Sequence, residues 1–193
     1  MDLKNIKAKV GPFSNSNWVI KNKLLVGAYP YNINKERSYV RRLRKVGVNI
    51  YISLQSEDEL SKLESYLSDL NDDEKYYNFP MVDRKTSPDE ETMHFLNKVL
   101  KLIKKENTCL YIHCLGGHGR TGVFVALILS YLYKLDFDES LSYTQRLHNE
   151  RYPDEDLDTI LSQKISKRNA KYFSPQTRTQ ISQVKRLCYK PDE

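Results

Sequence analysis

The nine residues Cys114-Leu115-Gly116-Gly117-His118-Gly119-Arg120-Thr121-Gly122 separate two apolar stretches, Cys109 to His113 and Val123 to Tyr133. Three glycines within four positions suit neither a helix interior nor a strand interior, because each costs backbone entropy there. They mark a tight turn in which the main chain approaches something closely. The stretch before it reads as a short core strand. The stretch after it is apolar except for Ser130 and reads as a buried helix from about Arg120 to Lys134. A buried strand feeding directly into a buried helix needs partners on both sides, which points to a layered α/β architecture.

The rest of the chain agrees. Lys23 to Ala28, Val48 to Leu54 and Tyr76 to Val82 read as strands. Tyr39, Val40, Leu43 and Val46 recur at helical spacing in a segment from Asn34, a candidate cap, to Gly47, a candidate stop. Leu60, Leu63, Leu67 and Leu70 predict an amphipathic helix over Glu57 to Leu70. Ser87, Pro88 and Glu90 form a capping-box start for a helix running to about Lys105, and two more helices fit Asp138 to Arg151 and Pro175 to Cys188. Alternation of strands and helices predicts one α/β domain, with a central, mainly parallel twisted sheet flanked by helices. Residues 23–190 form that domain and residues 1–22 an N-terminal extension packing on it.

At 193 residues the chain can bury enough surface to fold without cross-links. Its three cysteines, Cys109, Cys114 and Cys188, fit neither a disulfide framework nor a zinc pattern, so a reducing, cytoplasmic or nuclear setting is expected. No apolar segment is long enough to span a bilayer, which takes roughly 20 residues. Lys4, Lys7 and Lys9 are followed by no apolar leader core. The net charge of +6 is unevenly distributed: eight carboxylates face one lysine between Glu57 and Glu74, whereas Thr159 to Pro191 has eight Lys or Arg and no acid. A basic C-terminal third favours anionic partners, whether phosphoproteins, anionic lipid or nucleic acid, without choosing among them. A solvated helix face accounts equally well for any single charge.

Glycine-rich turns at the start of a helix turn backbone N–H groups inward and add the positive end of the helix dipole, forming an anion cradle. A cysteine at its mouth is stabilised as thiolate, the nucleophilic form. Arg120 can grip two oxygens of a bound oxyanion with its planar fork.

His113-Cys114, five residues, then Arg120-Thr121-Gly122 resembles the signature loop of the cysteine-dependent protein tyrosine and dual-specificity phosphatases. The strand, loop and helix context agrees with it. The resemblance implies Cys114 as nucleophile and Arg120 with Leu115, Gly116, Gly117, His118 and Gly119 as the phosphate site. It further implies Thr121 as a hydrogen-bond donor to the sulfur; the sequence offers no paired HxxxH or Cys/His cluster, so no metal or other cofactor is expected.

The helix between the strands ending near Val82 and at His113 is long enough for a crossover, so those strands should run parallel and their following loops share one edge. Asp83 then leans over the cradle. It lies 31 residues before Cys114, the interval at which the resembled family carries its general acid. Asp89 is the other candidate, but its place in a first helical turn suits the helix dipole. Phe79-Pro80-Met81-Val82-Asp83 stands where strictly tyrosine-specific members carry Trp-Pro-Asp, which tilts toward the dual-specificity branch.

Gln176-Thr177-Arg178-Thr179-Gln180 is similar to the family's glutamine-bearing loop, implying that Gln176 orients water with Gln180 assisting. Both also fit as polar openers of a helix capped by Ser174. His113 is expected to order the loop from the opposite face of the strand, and His118 either to line the pocket mouth or to face solvent. His94 and His148 show no ligand spacing, Cys109 reads as core packing, and Tyr29-Pro30 as a strand-ending turn. The expected substrate is a phosphorylated protein, with phosphotyrosine leading and phosphoserine or phosphothreonine open. An inositol lipid or an RNA 5′ end is the alternative within the same chemistry. A non-catalytic phosphate-recognising module is the alternative outside it.

Overall fold

The computed structural model describes residues 6, 9–32, 37–156, 161–162 and 170–190. Among the described residues eight strands are formed: β1 Lys9–Val10, β2 Ser16–Ile20, β3 Leu24–Gly27, β4 Tyr31–Asn32, β5 Arg37–Ser38, β6 Ile50–Gln55, β7 Lys75–Met81 and β8 Leu110–His113. Six of them build one sheet in the order β1-β2-β3-β8-β6-β7, and β4 with β5 makes a separate hairpin. β3, β8, β6 and β7 are mutually parallel. β1 and β2 join antiparallel, so the sheet is mixed, with residues 16–20 a fully buried strand of it.

Side chains alternate across the central strands and divide the core in two. Leu24, Val26, Ile50, Ile52, Leu54, Leu110 and Ile112 face one cluster, with Cys114 beyond them. Leu25, Tyr51, Cys109 and Tyr111 face the other. The first face is covered by α3 Asp89–Lys104, α4 Gly119–Tyr133, α5 Phe137–Asn149 and α6 Arg178–Leu187. The second receives α1 Val40–Lys45 through Val40 and Leu43. α4 is buried along nearly its whole length, which explains a sequence apolar all round.

β3 and β6 flank β8, and both Gly27 and Ser53 register with His113. The loops leaving β3, β6, β7 and β8 therefore converge on one edge of the sheet.

Several expected boundaries move. The helix expected from Asn34 begins at Val40, because the chain first forms the β4–β5 hairpin; Asn34 itself lies outside the described residues. Gly47 ends α1 at φ +93°. The helix expected over Glu57 to Leu70 is replaced by one turn, α2 Glu57–Leu60, and a later 3₁₀ turn at Leu67–Asp69. Its leucines are not the buried residues: Tyr66 enters the core and Leu67 stays exposed. Ser87 does not cap α3; its hydroxyl donates to the Pro80 carbonyl, while Pro88 holds the cap position in an extended conformation. α5 starts at Phe137 behind a reciprocal Asp136–Glu139 capping box. α6 starts at Arg178, capped by Thr177 and not by Ser174.

Candidate active site

The loop between β8 and α4 is shaped by bonds to its carbonyls. Tyr29 N donates to Leu115 O at 3.0 Å, Arg151 Nη1 to Gly117 O at 2.9 Å, and Ser174 Oγ to His118 O at 2.9 Å. Each of these peptides is trans, so the N–H sharing its plane points the opposite way. The amides of Gly116, His118 and Gly119 are thereby turned to the inner side of the loop, at the N-terminus of α4. The glycines are required sterically. Gly117 sits at φ +75°, and a Cβ there would strike the backbone of Gly27. A Cβ on Gly119 would meet the side-chain amides of Gln180 at 2.8 Å and Gln176 at 2.9 Å.

Cys114 lies at the base of this loop, 3% exposed, and Thr121 Oγ1 donates to its sulfur at 3.2 Å. Arg120 is equally buried. Its guanidinium is bonded by both carboxylate oxygens of Glu59, the Nη2 to Oε1 distance being 2.9 Å, and Nη1 also donates to Met81 O at 2.9 Å. Asp83 Oδ1 stands 3.1 Å from Nη2. Burial works against the Arg120 charge, and Glu59, Cys114 and Asp83 more than restore it.

Glu59 was not singled out in the sequence. The readable signal was Ser56-x-x-Glu59, the capping box that holds α2 at the end of β6 and aims the acid at Arg120. Burial raises the Glu59 pKa, but the Arg120 bonds and the Ser56 contacts outweigh it and hold the carboxyl below its usual range.

His113 points to the opposite face from Cys114, as alternation along β8 requires. Its Nε2 meets Tyr66 Oη at 2.8 Å, within a nest of Tyr29, Tyr66 and Tyr111 rings. Burial drives its pKa down to about 3, so the ring stays neutral. His118 is only half-buried, and its ring turns to α5, where its Nδ1 meets His148 Nε2 at 2.8 Å. Burial, with Arg151 and Lys171 nearby, takes its pKa to about 3, so it brings no charge to the cradle.

Gln176 and Gln180 lie against Gly119. Gln180 is committed to the cap of α6 and Gln176 Nε2 donates to Ala170 O. Asp89 is held away from the cradle by Arg186 at 2.8 Å and by Gln183. Among the described residues no group of three or more His, Cys, Asp or Glu is placed to hold a metal. Nor is any helix among them long and apolar enough to cross a membrane. Lys164, Lys167 and Arg168 of the basic C-terminal third lie outside the described residues.

Val82 and Leu115, which precede Asp83 and follow Cys114, are 61% and 48% exposed. A cavity of about 370 Å³ opens beside Leu115, walled by Phe13, Tyr29, Tyr31, Tyr39 and Leu63.

Comparison with known proteins agrees with this architecture. A putative tyrosine phosphatase, 197R, of Invertebrate iridescent virus 6 is 31% identical over 129 residues, covering 65% of this chain and 46% of its own. The chain spans about half the length of the curated relatives it matches. Tk-PTP in its active form superposes with a TM-score of 0.60 at 18% identity, over 86% of this chain and 90% of that one. PTPMT1 in complex with PI(5)P does so with a TM-score of 0.62 at 17% identity, over 86% and 90%. Residues 13–169 match the family model described as the Swiss Army Knife protein, DSP-PTPase phosphatase domain, and the chain belongs to this dual-specificity type of the protein tyrosine phosphatase superfamily.

Proposed function

We propose that the chain hydrolyses phosphomonoesters of proteins, phosphotyrosine foremost, through a cysteinyl-phosphate intermediate. One observation carries this reading: a buried sulfur with a hydroxyl donor on one side lies in a loop whose arginine fork meets an aspartate from the loop after β7. In the first step the Cys114 thiolate attacks phosphorus in line, forming the S–P bond as the ester P–O bond breaks. Arg120 and the loop amides hold the equatorial oxygens, and Asp83 gives its proton to the departing oxygen. In the second step Asp83 takes a proton from water, the water oxygen bonds to phosphorus, and sulfur leaves with its charge eased by Thr121. Gln176, against Gly119, is the group we assign to orient that water. No metal enters either step.

The exposed apolar side chains of Val82 and Leu115, next in sequence to Asp83 and Cys114, support an aryl ester over an alkyl one. A phosphoinositide is the second reading, supported by the PI(5)P bound to PTPMT1. Against it, Arg120 is the one charged base of the loop, since the neutral His118 ring turns to His148. A binding module would have no need for Asp83 beside Arg120.

The test compares phosphate release from a phosphotyrosine peptide, a phosphothreonine peptide and a phosphoinositide, with chelator present and Cys114→Ser as control. The peptide aryl ester should be fastest and Cys114→Ser inactive. Activity surviving Cys114→Ser rejects the mechanism, and faster lipid turnover rejects the substrate class.

A further inference from the structure

Arg151, just beyond α5, is 9% exposed, and among the described residues no carboxylate pairs with it. A guanidinium in such a place is costly unless its donors are used and its charge is met. Two of its five N–H donors are used: Nε bonds Asn17 Oδ1 at 2.6 Å and Nη1 bonds Gly117 O at 2.9 Å. Asn17 is itself buried on β2, so the strut Asn17–Arg151–Gly117 ties the antiparallel margin of the sheet to the middle of the phosphate loop.

Resting on the hydrolase reading above, we infer that Arg151 is a positioning residue for phosphoryl transfer. Oriented by Asn17, it keeps the Gly117 carbonyl turned outward, so that the His118 N–H of the same peptide stays aimed at the phosphoryl oxygens, and it sets a second cation behind the loop whose counter-charge is the anion in the cradle.

Around Cys114 and Arg151 the charged and titratable groups are Arg120 on α4, Asp83 after β7, Glu59 on α2, Tyr111 and His113 on β8, His118 in the loop, His148 on α5, and Lys171 and Tyr152 beside them. Arg120 is already engaged by two acids. Among the described residues no acid engages Arg151, which so adds net positive potential to the cradle.

The experiment measures kcat, KM and the pH profile on p-nitrophenyl phosphate, and the affinity for vanadate, in Arg151→Met, Arg151→Lys and Asn17→Ala. Arg151→Met should lower kcat about 10- to 100-fold, the usual penalty for a displaced contact of this kind, and weaken vanadate similarly. It should also move the acid limb of kcat/KM to higher pH. Arg151→Lys should keep the limb while losing kcat, because charge survives without the fork. Asn17→Ala should do the same, and as a small neutral truncation it serves if Arg151→Met does not fold. Folded Arg151→Met and Asn17→Ala proteins with lowered melting temperatures but wild-type kcat, vanadate affinity and acid limb would overturn the inference. If the wild-type protein releases no phosphate, the hydrolase reading fails, and vanadate affinity alone then decides the role of Arg151: unchanged affinity in Arg151→Met rejects it.

Discussion

Glu59 clasps Arg120 with both carboxylate oxygens across 61 positions of sequence, fixing the plane of a guanidinium that is 1% exposed. The acid does two things at once. It presents the fork in one orientation, and it supplies a counter-charge when no oxyanion is bound.

Glu59→Gln keeps the shape of the side chain and removes that charge. The loss of a charge-assisted bond is expected to cost about 1–3 kcal/mol, and about 1 kcal/mol moves the melting temperature of a chain this size by roughly 2–4 °C. Phosphate or vanadate should restore more of that stability in the variant than in the wild type, because the anion takes over the role of the carboxylate. kcat/KM should fall about tenfold through the loosened fork. Because the folded Glu59 pKa lies below its unfolded value, its contribution is complete above the ordinary carboxylate range and is lost as pH falls through the folded value. A Glu59→Gln melt matching the wild type with and without anion contradicts this account.

Asp83 is more than half exposed and touches Arg120 by a single contact, so its removal should spare the fold. Asp83→Ala is expected to reduce kcat for a phosphotyrosine peptide about 100- to 10,000-fold, the reach of general acid catalysis. The loss should be smaller for p-nitrophenyl phosphate, whose leaving group departs without needing the proton. Equal losses on both substrates would remove Asp83 from the role of proton donor.

These two acids show what a sequence can disclose. Cys114, the glycines and Arg120 lie within one turn and must satisfy each other locally, so their spacing alone reveals the loop. Asp83 is reachable because a crossover helix forces two strands parallel. Glu59 depends on where β6 ends relative to a residue far along the chain, and its leucine-spaced surroundings imitate a helix that Tyr66, by entering the core, prevents. Arg151 and Asn17 are hidden for the same reason: their value arises from the β2 pairing and the end of α5, neither of which leaves a local pattern. His118 and His148, 30 positions apart, find each other only through the packing of α5 on α4.

Gly117→Ala should be disabling out of proportion to one methyl group. The position requires φ +75° and abuts the Gly27 backbone, so an alanine meets both backbone strain, worth about 1–3 kcal/mol, and a clash that shifts the loop. Melting curves and vanadate binding should both fall. A variant with wild-type melting and binding would show that the loop tolerates another path.

The three thiols should differ sharply. Burial pushes Cys109 up to about 12, with Lys23 pulling weakly the other way, and burial also raises Cys188. Cys114 alone has Thr121 and Arg120 beside its sulfur. Iodoacetate at neutral pH should therefore modify one thiol quickly, at Cys114, and vanadate should protect it. Cys109 cannot rescue an oxidised Cys114 as a disulfide partner. Four strand residues lie between them, and five steps of extended chain set the two roughly 16 Å apart, far beyond a bridging Cα distance of about 7 Å. Rapid labelling of two thiols, or a Cys109–Cys114 bridge after peroxide in a mass spectrum, would break this assignment.

Acid should unfold the protein through its histidines before its carboxylates. His113 and His118 are held near 3 and His148 well below its usual value, each chiefly by burial. An unfolded chain takes up these protons below about 6.5 while the folded one refuses them. Stability contributed by the neutral rings is therefore complete above about 6.5 and drains away as pH falls from there toward 3. At pH 5 each fully buried ring would cost about 2 kcal/mol, with less for the partly exposed His118. The His118–His148 contact sharpens this, since one nitrogen must accept and a doubly protonated pair has no acceptor. Urea unfolding between pH 7.5 and 5 should show a steep loss over this window, and His148→Gln should flatten it. A stability flat across these pH values would mean that the three rings accept protons in the folded protein, and the sealed packing around them would have to be abandoned.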